Sequence, residues 1–126
     1  MAEFAILMPL FALLLVAGVD VARVFYHQQT ITNCARNGAL YLSDPASPLR
    51  STYPDYQTAA LADASGLNPA LTASNISSTS GADASGPNVS VTVTYKFATI
   101  SNYLGFSTVN LSRTVTMRVV PLVPTF

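Results

Sequence analysis

His27 and Cys34 are the single histidine and the single cysteine of a 126-residue chain, and their spacing argues against shared chemistry. Seven residues apart on a helix is roughly two turns, about 10.5 Å along the axis, which is too far for a thiolate–imidazole dyad. One cysteine makes no intrachain disulfide, and one histidine with one cysteine does not complete the Cys/His set of a structural zinc site. The carboxylates Asp44, Asp55, Asp63 and Asp83 stand singly in polar loops or at helix ends, without the clustered spacing of a calcium loop. No phosphate-cradling glycine loop occurs. Six Lys+Arg offset six Asp+Glu, so no long-range field gathers nucleic-acid phosphates. These residues lead to the expectation of no enzymatic activity, no cofactor, no metal and no nucleic-acid partner. Asn75-Ile-Ser, Asn88-Val-Ser and Asn110-Leu-Ser fit the glycosylation sequon, weakly in so Ser/Thr-rich a chain, and Ser77, Ser78, Thr79 and Ser80 offer hydroxyls for O-linked sugars.

The chemistry left is that of membranes and assembly. From Phe4 to Val19 there is no charge, and past Asp20 and Arg23 the chain stays largely apolar to Tyr26, about the length a helix needs to cross a bilayer. The only charge ahead of this run is the acidic Glu3, where a helix inserted by its own sequence normally carries Lys or Arg. That pattern leads to the expectation that a leader has already been removed. Pro9 removes one helical hydrogen bond and predicts a kink or local melting. Asp20 and Arg23, three apart, can pair on one helix face at the exit from the bilayer, or simply mark its boundary.

Beyond Tyr26 the series Val24, Gln28, Ile31, Ala35, Ala39 and Leu42 makes the helix amphipathic. A helix over 1–42 therefore divides in two: 1–26 apolar, for membrane or filament core, and 27–42 backing a head, with Arg36 and Gly38 admitting a close approach to a sheet. Ser43, Asp44, Pro45 and Pro48 end it. The head, 43–126, is expected to hold a short helix over 55–65 stopped by Gly66, an edge strand over 76–80, and a loop over 81–88. Val89, Val91, Val93, Tyr95 and Phe97 alternate with polar residues over 89–97, as do Val109, Leu111, Val115, Met117 and Val119 over 109–120. Two antiparallel strands follow, joined by a connector, 98–108, in which a helical turn is expected to cap the sheet edge. The fold class is α+β: a long N-terminal helix packed on a small antiparallel sheet.

The string Ala2-Glu-Phe-Ala-Ile-Leu-Met-Pro-Leu-Phe-Ala-Leu-Leu-Leu-Val-Ala-Gly18, with Val24-Phe-Tyr-His and Thr30-Ile-Thr-Asn-Cys-Ala-Arg-Asn-Gly-Ala-Leu-Tyr41, resembles the N-terminal signature of the TadE-like family. These are the type IV pilin-like proteins of the tight-adherence pilus systems. The tail Val89-Ser-Val-Thr-Val-Thr-Tyr with Leu111-Ser-Arg-Thr-Val-Thr-Met-Arg118 is similar to the end of that family's domain. The resemblance implies a precursor cut by a prepilin-type peptidase, residence in the cytoplasmic membrane, and homopolymerisation through N-terminal helices into an extracellular filament. It also implies that Glu3 neutralises the free amine of a neighbouring subunit, although the acid is third here where the usual pattern has it fifth. Met1, Glu3, Phe4, Pro9, Asp20 and Arg23 are the expected assembly residues. The alternatives are a minor pseudopilin that primes or tips the fibre, and a singly anchored extracytoplasmic binding domain.

Overall fold

A computed structural model describes residues 2–100 and 107–121 of the chain. It has an α+β arrangement: a long helix α1 (Ala2–Ser43), short helices α2 (Ser47–Arg50) and α3 (Tyr56–Leu61), a 3-10 turn at Ala73–Asn75, and strands β1 (Ile76–Asp83), β2 (Gly86–Ala98) and β3 (Thr108–Arg118). The strands form one antiparallel sheet in the order β1-β2-β3.

The apolar and amphipathic stretches form one uninterrupted helix. Of the kink or local melting expected at Pro9, the melting does not occur: α1 is helical on both sides of the ring. Ser43 closes α1 by donating its hydroxyl to the Leu40 carbonyl (2.8 Å), and the Asp44 carboxylate accepts from the Ala46 N–H (2.9 Å). Pro48 then sits in the first turn of α2, where its missing N–H costs nothing.

The core lies between the C-terminal part of α1 and the inner face of β2. Val89, Val91, Val93, Tyr95 and Phe97 are all buried, as strict alternation requires of a half-buried strand. Against them α1 sets Ile31, Cys34, Ala35 and Ala39, with Gly38 between. A side chain at Gly38 would stand 3.2 Å from Val91 Cγ1 and 3.3 Å from Ala60 Cβ, so glycine sets how closely helix, sheet and α3 approach. Two helix positions differ from expectation. Gln28 is only half-buried, and His27 takes the place against the sheet. Arg36 is exposed, because at about 100° per residue it is turned away from the stripe that carries Cys34 and Gly38.

Other boundaries moved for local reasons. The helix expected over 55–65 is limited to Tyr56–Leu61: Asp55 caps it through the Thr58 N–H (2.6 Å), and Ala64 and Leu67 turn inward beyond it. Gly66 is therefore no helix stop; its place is against Tyr26, whose hydroxyl a side chain there would meet. The loop expected over 81–88 is instead a hairpin with a two-residue turn, Ala84-Ser85. Its Asp83 carboxylate accepts from the Ser85 N–H (2.8 Å) and the Asn88 amide (3.2 Å), and Gly86 adopts φ +122°, a conformation glycine alone takes without strain. β1 thus runs on to Asp83. The last strand ends at Arg118 rather than 120, because the Val119 N–H turns to the Pro87 carbonyl (3.0 Å) and the Val120 N–H to that of Ser43 (2.8 Å). Most of the connector expected to form a helical turn lies outside the described residues.

Candidate functional site

The two parts of α1 meet different surroundings. No residue from Phe4 to Val19 is buried, and Phe4 is 77% exposed, Leu10 54% and Leu15 70%. The described residues of the head bury none of the side chains of this apolar sleeve. By length and composition α1 can cross a membrane. An apolar groove of about 350 Å³ runs along the last turns of the sleeve, lined by Ala12, Leu15, Val16, Val19 and Ile100.

Head packing begins at Asp20. This carboxylate is buried at 6% exposure, accepts the Ile100 N–H at 2.9 Å, and lies 3.6 Å from the Arg23 guanidinium. A buried carboxylate with a backbone donor and a cation is compensated on both counts. Arg23 also stands over the Phe97 ring, 5.6 Å from its centroid. The sequence pairing of Asp20 with Arg23 is therefore present in the geometry. Its long-range partner Ile100, eighty positions on, is not marked by any local pattern.

One turn beyond Arg23 lies His27, buried among rings: its centroid is 4.6 Å from Phe97, 5.3 Å from Tyr95 and 5.5 Å from Tyr26. Neither ring nitrogen has a hydrogen-bond partner among the described residues. Burial, reinforced by the Arg23 charge, pushes its pKa below the ordinary histidine value, so the ring is neutral. Cys34, two turns on, is fully buried, and burial with the nearby Asp63 charge pushes its thiol up to about 11. A thiol so far from ionisation is a packing group rather than a nucleophile. Apolarity singled out neither residue in the sequence; their helical spacing from Ile31 was the one available signal.

The remaining expected residues are dispersed. Met1 and the Glu3 side chain lie outside the described residues. Asn75 uses its side-chain oxygen to accept from the Thr72 N–H (3.2 Å) and hydroxyl (2.7 Å), Asn88 is engaged in the hairpin, and Asn110 lies exposed on β3. Ser77, Ser78, Thr79 and Ser80 are exposed along β1. Among the described residues no cluster of three His, Cys, Asp or Glu could hold a metal ion.

Residues 1–40 match the family model described as TadE-like protein. No curated protein and no solved structure gives a significant match.

Proposed function

We propose that this chain, TadE-like over residues 1–40, is a structural subunit of an extracellular Tad-type pilus that polymerises through α1 after leader cleavage. The observation that carries the reading is the open apolar sleeve Phe4–Val19 on a helix whose continuation is packed beneath a head. Such a helix needs a second apolar environment, first the cytoplasmic membrane and then a bundle of like helices. The exchange is close to neutral in apolar burial, which is worth roughly 25 cal/mol per Å² in either setting. Glu3 then selects the axial register: a carboxylate taken out of water is costly alone and compensated when it meets the ammonium of a neighbouring first residue. Phe4 and Pro9 belong to the surface that packs in the bundle, and Asp20 with Arg23 fixes where the bundle ends and the head begins.

Electron microscopy of material sheared from producing cells, with mass spectrometry of the intact first residue, tests this directly. Filaments of leader-free chain are expected, and Glu3→Ala should reduce their yield at least tenfold while the head still folds. Unprocessed monomer extracted only by detergent would instead make the chain an anchored extracytoplasmic binding domain.

A further inference from the structure

The chain has no net charge, yet two grooves of its head carry charges of opposite sign. Helix α1 is flanked by α3 on one side of its buried stripe and by the edge strand β3 on the other. On the α3 side an open groove of about 500 Å³ has Asp44 and Asp63 as its charged residues. Asp55, capping α3, adds a third carboxylate nearby, since Tyr41 of the groove donates its hydroxyl to the adjoining Pro54 carbonyl (3.1 Å). Arg50 closes α2 on this side but does not line the groove. On the β3 side a second groove, about 560 Å³, has Arg36 and Arg113 as its charged residues. Both are exposed, and neither has an ion-pair partner among the described residues, where the one salt bridge is Asp20–Arg23. Arg113 also explains a break in the strand pattern: it stands on the inward-facing row of β3, opposite Val93, where an apolar residue would extend the core. From that row it reaches the groove beside α1 instead.

Two like flanks brought together would oppose Arg to Arg or Asp to Asp, so a symmetric pair through either is disfavoured. Opposite flanks are complementary. We propose that the Asp44/Asp63 flank of one copy docks on the Arg36/Arg113 flank of a second copy. In a filament, where copies are related by a rotation and a rise rather than by a two-fold axis, the contact is head-to-tail and repeats, giving an open helix wherever the rotation does not close a ring. Exposed ion pairs are individually weak and screened by salt, so this contact sets the lateral register of the heads while the apolar sleeves supply cohesion. The inference rests on the pilus reading for the array, and it fails separately from it.

The test uses the full chain in producing cells, with Cys34→Ala to remove the native thiol, Gln29→Cys on the basic side and Ala62→Cys on the acidic side. A short bismaleimide should yield a ladder of cross-linked chains when both cysteines are in one chain. With either cysteine alone it should give no dimer. Arg36→Glu with Arg113→Glu should lower ladder yield at least tenfold, and adding Asp44→Lys with Asp63→Lys should restore it. Filaments without a ladder, or dimers from like cysteines, overturn the proposal and leave the pilus reading standing. A ladder in membranes that never form filaments supports the proposal and removes the pilus reading. The absence of both overturns both.

Discussion

At the scale of single residues, His27 is the group whose environment makes the plainest demand. Its neutral ring faces Tyr26 and Arg23 on α1 and Tyr95 and Phe97 on β2, with Asp20 on the far side of Arg23. A histidine whose folded pKa lies below its unfolded value binds fewer protons in the folded state, so its contribution is fully present above the unfolded pKa. It is lost as pH falls from about 6.5 toward the folded pKa. Thermal unfolding of the detergent-solubilised chain should therefore show a midpoint that drops below pH ~6.5. In His27→Phe, which keeps a ring among rings, that drop should be reduced; an unchanged pH profile would place the effect elsewhere. Asp20 makes a different demand. Asp20→Ala leaves the Ile100 N–H without this acceptor and Arg23 without its anion, and should cost about 1–3 kcal/mol in urea unfolding. Asp20→Asn keeps an acceptor for the N–H and should cost less. The sequence displayed the Asp20–Arg23 pair because both residues lie on one turn. It hid His27 and the Ile100 contact, which exist only once β2 and its following segment fold back across α1.

At the scale of elements, what was readable followed the period of each pattern. β2 alternates over Val89, Val91, Val93, Tyr95 and Phe97, and each of these is buried. The β1–β2 hairpin was hidden because Gly81, Gly86 and Pro87 are loop formers, and only pairing with the already specified β2 carries β1 through Gly81 to Asp83. The short helix shows the reverse: alanines over 59–64 suggest more helix than forms, because Ala64, Leu67 and Leu71 are needed in the core. Gly38 is where three elements meet, since a Cβ there would also stand 3.4 Å from the Tyr56 carbonyl as well as near Val91 and Ala60. Gly38→Ala sets a helix-propensity gain of about 1 kcal/mol against small displacements of these neighbours, and the net change should stay below about 1 kcal/mol. Gly38→Leu has no room on any side and should destabilise by about 1–3 kcal/mol or more, read as a lower urea midpoint at unchanged slope.

At the scale of the whole molecule, the chain is divided at Asp20, where buried residues begin along α1. The stretch 2–19 is about 27 Å long as a helix, close to the roughly 30 Å of a bilayer's hydrocarbon, and it meets Ile100 of the head at the apolar groove. The head's core is instead closed by the later turns of the same helix, from His27 to Ala39, so the segment that would enter lipid and the segment that stabilises the fold are covalently continuous but energetically separate. That separation is what a subunit moving from membrane to filament requires, because the sleeve can change its surroundings while the head keeps its packing. It makes a direct prediction. Deleting residues 2–19 should release a monomer that stays in solution without detergent and unfolds cooperatively, with a midpoint within about 5 °C of the full chain, since few stabilising contacts are removed and a 1 kcal/mol loss moves a domain of this size by roughly 4–8 °C. Size-exclusion chromatography and circular dichroism read both properties. Aggregation or a non-cooperative melt would mean that the sleeve contributes to the head's core through contacts beyond the Ile100 groove, and would remove the separation on which the proposed assembly depends.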